Sequence, residues 1–231
     1  MQPELQPRTA FSGAGELSLQ KNRVLRNTYL LLALTMVPTV VGAIVGMATG
    51  GIIMQNPIIS TLVILAVVIG LQFAIAANRN SGLGVALLLL MTFILGWWLG
   101  PLLTVALALR NGPQLVGFAA AGTGLIFVVM AGIAITTRRD FSFMGKFLFV
   151  GMIVLLVAML ANMFLQIPAL ALTISALVIV VFSLFLLHDV SRIVNGGETN
   201  YVMATTGVYM SLFNIFANLL SLLMALTGQR D

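Results

Sequence analysis

Leu187-His188-Asp189-Val190-Ser191-Arg192 closes the most apolar part of the chain: residues 147–188 carry no formal charge, and then the only histidine and an aspartate stand side by side. A carboxylate at the edge of hydrocarbon is costly, so such a residue marks a functional site by default. The same position also fits a span that simply ends there, with Asp189 among hydrated head groups, because only a few residues of depth separate the two readings. The surrounding composition identifies lipid as the solvent. Apolar residues make up 60% of the 231 residues and charged residues 7%, against about 25% charged in an ordinary soluble domain. No water-soluble fold could cover itself with so little charge, and the chain reads as an all-α, polytopic membrane protein. The absence of cysteine excludes disulfides, thiolate catalysis and Cys-ligated zinc. A net charge of +5 does not point to nucleic acid, since the basic residues are scattered through short connectors rather than gathered in one patch.

Working outward, the charge-free stretches count the spans. Residues 27–78 hold two helices of about 20 residues each, with a turn between Gly50-Gly51 and Asn56-Pro57. Residues 80–109 and 111–137 hold one each, residues 147–188 hold two with a hairpin at Gln166-Ile167-Pro168, and residues 199–229 hold the last. Seven spans result, in a membrane domain of residues 27–231. The preceding residues 1–26 are polar, contain Pro3, Pro7, Gly13 and Gly15, lack helical periodicity, and read as a flexible tail. The run after Arg26 is too long for a cleaved signal peptide, so the first span is retained. Lys and Arg concentrate in cytoplasmic connectors. A cytoplasmic N-terminus places Arg8, Lys21, Arg23, Arg26, Arg79, Arg138, Arg139, Lys146 and Arg192 inside, leaving Arg110 and Arg230 outside with the C-terminus.

Small residues recur at helical spacing: Gly42, Gly46 and Gly50 in span one, Gly96 and Gly100 in span three, Gly117, Ala121 and Gly124 in span four. Such faces let helices approach closely, within the bundle rather than between copies. Pro101 is expected to kink span three. In span seven, Ser211, Asn214, Asn218 and Ser221 form one polar stripe that must face the bundle. It serves either as interhelical hydrogen-bond glue, with Asn162 and Thr173 as partners, or as the lining of a hydrated path. Asp140 or Ser142 is placed to cap span five, and Thr199 or Asn200 to cap span seven after a turn at Gly196-Gly197.

Four stretches, TTRRDFSF at 136–143, NMFLQIP at 162–168, NGGETNY at 195–201 and YMSLFNIF at 209–216, together resemble the Bax inhibitor-1 family, in particular its bacterial YccA-like branch. The likeness runs from about Lys21 to the C-terminus. It implies a seven-transmembrane-helix bundle in the inner (cytoplasmic) membrane with a periplasmic C-terminus, and two kinds of activity. Relatives of the YccA type restrain the membrane-anchored protease FtsH and its HflK/HflC partners. Others act as pH-sensitive leaks for calcium and other cations, gated by two acids in spans six and seven that are latched to an Arg near the end of span two. Carried over by position, Asp189 matches the span-six acid and Arg79 the Arg, whereas Asn214 stands where the second acid is expected. An amide offers an oxygen but no charge, so the proton shared by two contacting carboxylates is lost. Asp189 and Arg79 are therefore expected to form a structural latch facing Asn214, with little Ca2+ or H+ coupling. His188 is a candidate pH sensor because imidazole is the side chain that changes charge nearest neutral pH, but adjacent helical residues diverge by about 100°, it need not share the partner of Asp189, and it reads more readily as an interfacial histidine.

An enzyme is not expected. His188 is the sole candidate base, of the nearby serines only Ser191 could share its face, and one His with one Asp cannot fill a zinc site of three protein ligands. No cofactor or metal site is implied. A reporter fused to Asp231 that functions only in the cytoplasm is expected to stay inactive; activity there would reverse the topology.

Overall fold

The computed structural model describes residues 9–137 and 139–227, with side chains described from Asn22 onward. Among these described residues seven helices follow one another: α1 (Thr9–Gln55), α2 (Pro57–Ala77), α3 (Gly82–Ala108), α4 (Gly112–Thr137), α5 (Met144–Leu165), α6 (Pro168–Asn195) and α7 (Tyr201–Thr227). Each contains a window long and apolar enough to cross a membrane. Helices satisfy their own backbone groups, which is what a chain immersed in hydrocarbon requires. The connectors fall where breakers stand. Pro57 and Pro168 open α2 and α6, Gln166 turns left-handed at φ 51° after α5, and Gly196 does the same at φ 79° after α6.

Residues 9–26, read from sequence as a flexible tail, belong to α1 from Thr9 onward; residues 1–8 lie outside the described part. The costly step in forming a helix is the first turn. Span one supplies that nucleus, and residues that would not start a helix alone extend it backward.

The packing centre is the crossing of α1 with α3. A Cβ on Gly42 would land on the Phe93 carbonyl, one on Gly46 on the Trp97 carbonyl, one on Gly96 on the Thr39 carbonyl, and one on Gly100 on the backbone of Gly46. Lipid tails are as apolar as leucine, so this backbone-to-backbone contact, rather than water exclusion, draws the helices together. Pro101 sits within α3, which continues to Ala108. The proline has no N–H to give the carbonyl one turn earlier, and that carbonyl, of Trp97, is the one Gly46 packs upon. Trp97 also donates its indole N–H to Thr49 Oγ1 at 2.8 Å, closing the same crossing from its side chain.

Helix α7 inserts against α6, α4, α1 and α3, while α2 leans mainly on α3 and α5 on α6. The buried Tyr209 ring carries its hydroxyl to the α1–α3 crossing, 2.8 Å from Thr39 Oγ1, where it also donates to the Thr92 carbonyl at 3.4 Å. The small face expected to pack in span four does not do so. Gly117, Ala121 and Gly124 are exposed, and added Cβ atoms on Gly117 and Gly124 would meet nothing. Gly122 instead meets Leu219 of α7, because Leu115, Ala119 and Thr123 carry the buried face.

These contrasts predict opposite outcomes for one substitution type. Gly46→Leu forces backbone apart and is expected to cost at least about 3 kcal/mol, whereas Gly117→Leu faces open lipid and should be nearly neutral. Thermal unfolding of both variants in the same detergent makes the comparison.

Candidate functional site

The residues around Asp189 gather at the end of the bundle formed by the α2–α3 turn, the α4–α5 connector and the α6–α7 loop. Asp189 lies six residues before the end of α6 and Gly207 six residues after the start of α7, which puts both about 9 Å from the helix ends. In this antiparallel pair they meet: a Cβ on Gly207 would stand 2.6 Å from Asp189 Oδ2. On the other side of the pair, His188 Nδ1 lies 3.1 Å from Asp189 Oδ1, and a Cβ on Gly145 of α5 would stand 2.8 Å from His188 Nε2. The two side chains therefore occupy notches that glycines leave in α7 and α5. The Asp189 side chain keeps 18% exposure, so it is neither free among head groups nor sealed in the core.

The latch expected from sequence is not formed. Arg79 is exposed in the α2–α3 turn and makes no ion pair with Asp189. A long cationic side chain at a helix end gains more by extending to the interface than by turning inward. Nor does Asn214 face Asp189. It lies seven residues beyond Gly207, about 10 Å deeper, and donates to the Met210 carbonyl of its own helix at 2.8 Å. His188 does share a partner with its neighbour in the sense that it bonds to Asp189 itself, through side chains that converge despite their divergent Cα–Cβ directions.

The polar stripe of α7 is likewise bonded along its own helix. Asn218 donates to Asn214 O at 2.9 Å and Ser221 to Ala217 O at 2.9 Å, while Ser211 is buried. The proposed partners are engaged elsewhere: Asn162 Oδ1 accepts from the Ile167 N–H at 3.1 Å, and Thr173 donates to Ala169 O at 2.9 Å. The interhelical hydrogen bond of α7 comes instead from Tyr209, while the Thr205 hydroxyl donates to Tyr201 O of its own helix at 2.7 Å, with Thr28 O of α1 a longer 3.3 Å away.

The strongest polar construction at this end centres on Ser191, which is fully buried. Its hydroxyl donates to Arg139 O at 3.1 Å and accepts from the Phe141 N–H at 3.2 Å, and the Asn195 amide adds bonds to Arg139 O and Ser191 Oγ, both at 3.1 Å. The last two turns of α6 thus clamp the α4–α5 connector. Asp140 is not the cap of α5, whose first flanking residue is Phe143. Its carboxylate accepts from the Ser142 N–H at 2.8 Å within the connector. Hydrogen bonds from Ser142, side chain first and then backbone, hold its pKa below the usual aspartate range. A parallel tie joins α7 to the α2–α3 turn. Asn200 caps α7 through its Oδ1, which accepts from the Val202 and Met203 N–H groups, while its Nδ2 donates to Arg79 O at 2.9 Å and Asn80 Oδ1 at 2.8 Å. The α6–α7 loop is closed by Arg192, which pairs with Glu198 at 3.2 Å. Sequence reasoning found Asn200 as a cap but missed Ser191 and Asn195 as clamps, because the main-chain atoms they hold are 50 to 56 residues away.

Chemically, this end is a rigid polar cap on a lipid-embedded helix bundle. Among the described residues, no group of three His, Asp or Glu side chains is placed to hold a metal. The class so defined is a multi-pass membrane bundle with a half-buried His–Asp pair near one end. The family model described as "Inhibitor of apoptosis-promoting Bax1" matches residues 21–229, and the chain belongs to the Bax inhibitor-1 family. Among its relatives, the "Modulator of FtsH protease YccA" of Escherichia coli K12 is 40% identical over 205 residues, covering 89% of this chain and 91% of that protein. An "Uncharacterized membrane protein" of Vibrio cholerae is 40% identical over 208 residues, covering 90% and 92%. The protein of E. coli O6:H1 with the same overlap is called "Inner membrane protein YccA".

Ser191→Ala leaves the half-buried Phe141 N–H without its partner and breaks the clamp on the Arg139 carbonyl. It is expected to destabilise the bundle by about 1–3 kcal/mol, visible as a lowered melting temperature in detergent, whereas Thr173→Ala on an exposed face of α6 should change little.

Proposed function

We propose that this chain is a non-enzymatic modulator of an FtsH-type protease in the inner membrane, lying with its N-terminus in the cytoplasm and its C-terminus in the periplasm. The observation that carries the reading is the 40% identity, spread over 89% of the chain, to a protein named for that role. The segregation of cations supports the orientation: Arg23, Arg26, Arg79, Arg139, Lys146 and Arg192 share one end of the bundle, and Arg110 lies at the other. A protease scaffold such as HflK/HflC is the natural second partner, through the lipid-facing sides of the spans.

The cation-leak alternative requires a second carboxylate beside Asp189, and that place is taken by Gly207. The regulator reading makes no such demand. An ATP-driven protease needs a protruding segment to begin pulling, and α1 begins at Thr9, well before the charge-free run that starts after Arg26. Residues 9–26 would extend about 27 Å as helix ahead of that run, on the side where such a protease carries its ATPase.

Deleting residues 2–20 is accordingly expected to lengthen the half-life of the protein severalfold in cells containing the protease and to leave it unchanged in cells lacking it. Equal half-lives of the two forms in the first strain would count against the reading.

A further inference from the structure

Among the described residues, the charges at the His188–Asp189 end are not balanced locally. Every described acid there is engaged: Asp140 by Ser142, Glu198 by Arg192, and Asp189 by His188. Arg23 and Arg26 on α1, Arg79 in the α2–α3 turn, Arg139 in the α4–α5 connector and Lys146 in the first turn of α5 are exposed, and none has a carboxylate partner among the described residues. The Asn200 and Ser191 ties described above bring the α2–α3 turn, the α4–α5 connector, α6 and α7 to one level, and α1 packs against α7 beside them.

We propose that this rim binds the head groups of anionic phospholipids, with Arg139 and Lys146 at the α4–α5 corner as its principal seat. The inference does not depend on the protease reading. Clusters of four to eight Lys and Arg beside membrane spans have the charge density that anionic head groups follow. The apolar surroundings select lipid over an acidic protein segment. Leu30, four residues after Arg26, is 64% exposed, Leu83, four after Arg79, is 55% exposed, and Phe143 and Phe147, flanking Lys146, are 77% and 78% exposed. A single lipid satisfies both halves of this arrangement, phosphate against the cation and acyl chain against the apolar side chain. An acidic peptide would neutralise the cations and leave the rings uncovered. The corner is also preorganised, because Ser191 and Asn195 hold the Arg139 carbonyl in place. Less ordering is then lost when a head group arrives. Asp140 stands beside Arg139 in the chain, but its carboxylate is turned to Ser142.

The test uses the purified full chain in nanodiscs of phosphatidylcholine containing a minor fraction of phosphatidylglycerol. Lipids that remain bound after release from the disc are identified by native mass spectrometry. Phosphatidylglycerol is expected to be enriched over the bulk mixture, with the enrichment falling about fivefold for each cation removed in Arg139→Gln and Lys146→Gln and vanishing at high salt. Arg110→Gln, at the opposite end, should leave it unchanged. The proposal is overturned if the wild type shows no enrichment, if Arg110→Gln lowers it as much as the corner substitutions, or if it persists at high salt. It is equally overturned if the corner substitutions release an acidic protein from native membranes while bound lipid stays the same. The salt titration uses the unaltered chain and decides the matter even where a substitution prevents folding.

Discussion

Carbonyl oxygens of one helix lying against glycine Cα atoms of another hold this fold together. Inside a bilayer, apolar side chains gain nothing from leaving lipid for each other, so association rests on close contact and on polar groups that would otherwise go unmet. Gly42 and Gly46 of α1 receive the backbone of α3, and Gly96 and Gly100 of α3 receive that of α1. Once those axes are fixed, Thr39 and Thr92 present one hydroxyl and one carbonyl to Tyr209, and the depth of α7 is set. That depth decides that Gly207, and not Asn214, stands level with Asp189. The environment of the membrane-edge acid thus follows from a crossing between two helices that do not contain it.

The same dependence explains what could be read from the sequence. The seven spans, the Gln166 hairpin and the glycine faces of spans one and three were legible because each is a local pattern: charge spacing, a breaker, a repeat at helical period. The partners of Asp189 were not, since they depend on the relative depth of two helices, and a shift of two turns exchanges Asn214 for Gly207 without altering any local pattern. The α4 face failed for a related reason. Gly117, Ala121 and Gly124 have the spacing of a packing face, yet Leu115, Ala119 and Thr123 lie on the side that the neighbouring helices cover. Small-residue periodicity says which face can approach another helix, not which one does. The helix from Thr9 to Arg26 was missed because composition reports whether a segment can nucleate, and this one extends an existing helix.

The His188–Asp189 pair then has a physical account that needs no latch. A carboxylate some 9 Å inside the helix end would be expensive if isolated. Here an imidazole nitrogen lies within hydrogen-bond distance, the glycine notch lets α7 approach without a side chain between, and the residual 18% exposure keeps a route to the interface. Glycine at 145 and 207 is therefore a requirement of the pair and not a flexibility device. Both residues are helical, and what matters is the missing Cβ.

Charge at this end is divided by role. The described acids are engaged locally, with a serine, an arginine and a histidine, and Asp140 and Glu198 in doing so tie down the connectors. Of the cations, Arg79 and Arg139 contribute their carbonyls to that framework, while their side chains remain at the surface. Had Arg79 turned inward to Asp189, the bundle would have gained an ion pair at the cost of desolvating both partners and would have lost a surface charge. Keeping the His188–Asp189 pair short and letting the cations face out leaves a positively charged rim among the described residues, on connectors that Ser191 and Asn200 tie down. Charged groups resist entering hydrocarbon, so a rim of that kind opposes displacement of the bundle along the membrane normal and ties its depth to the geometry of the connectors.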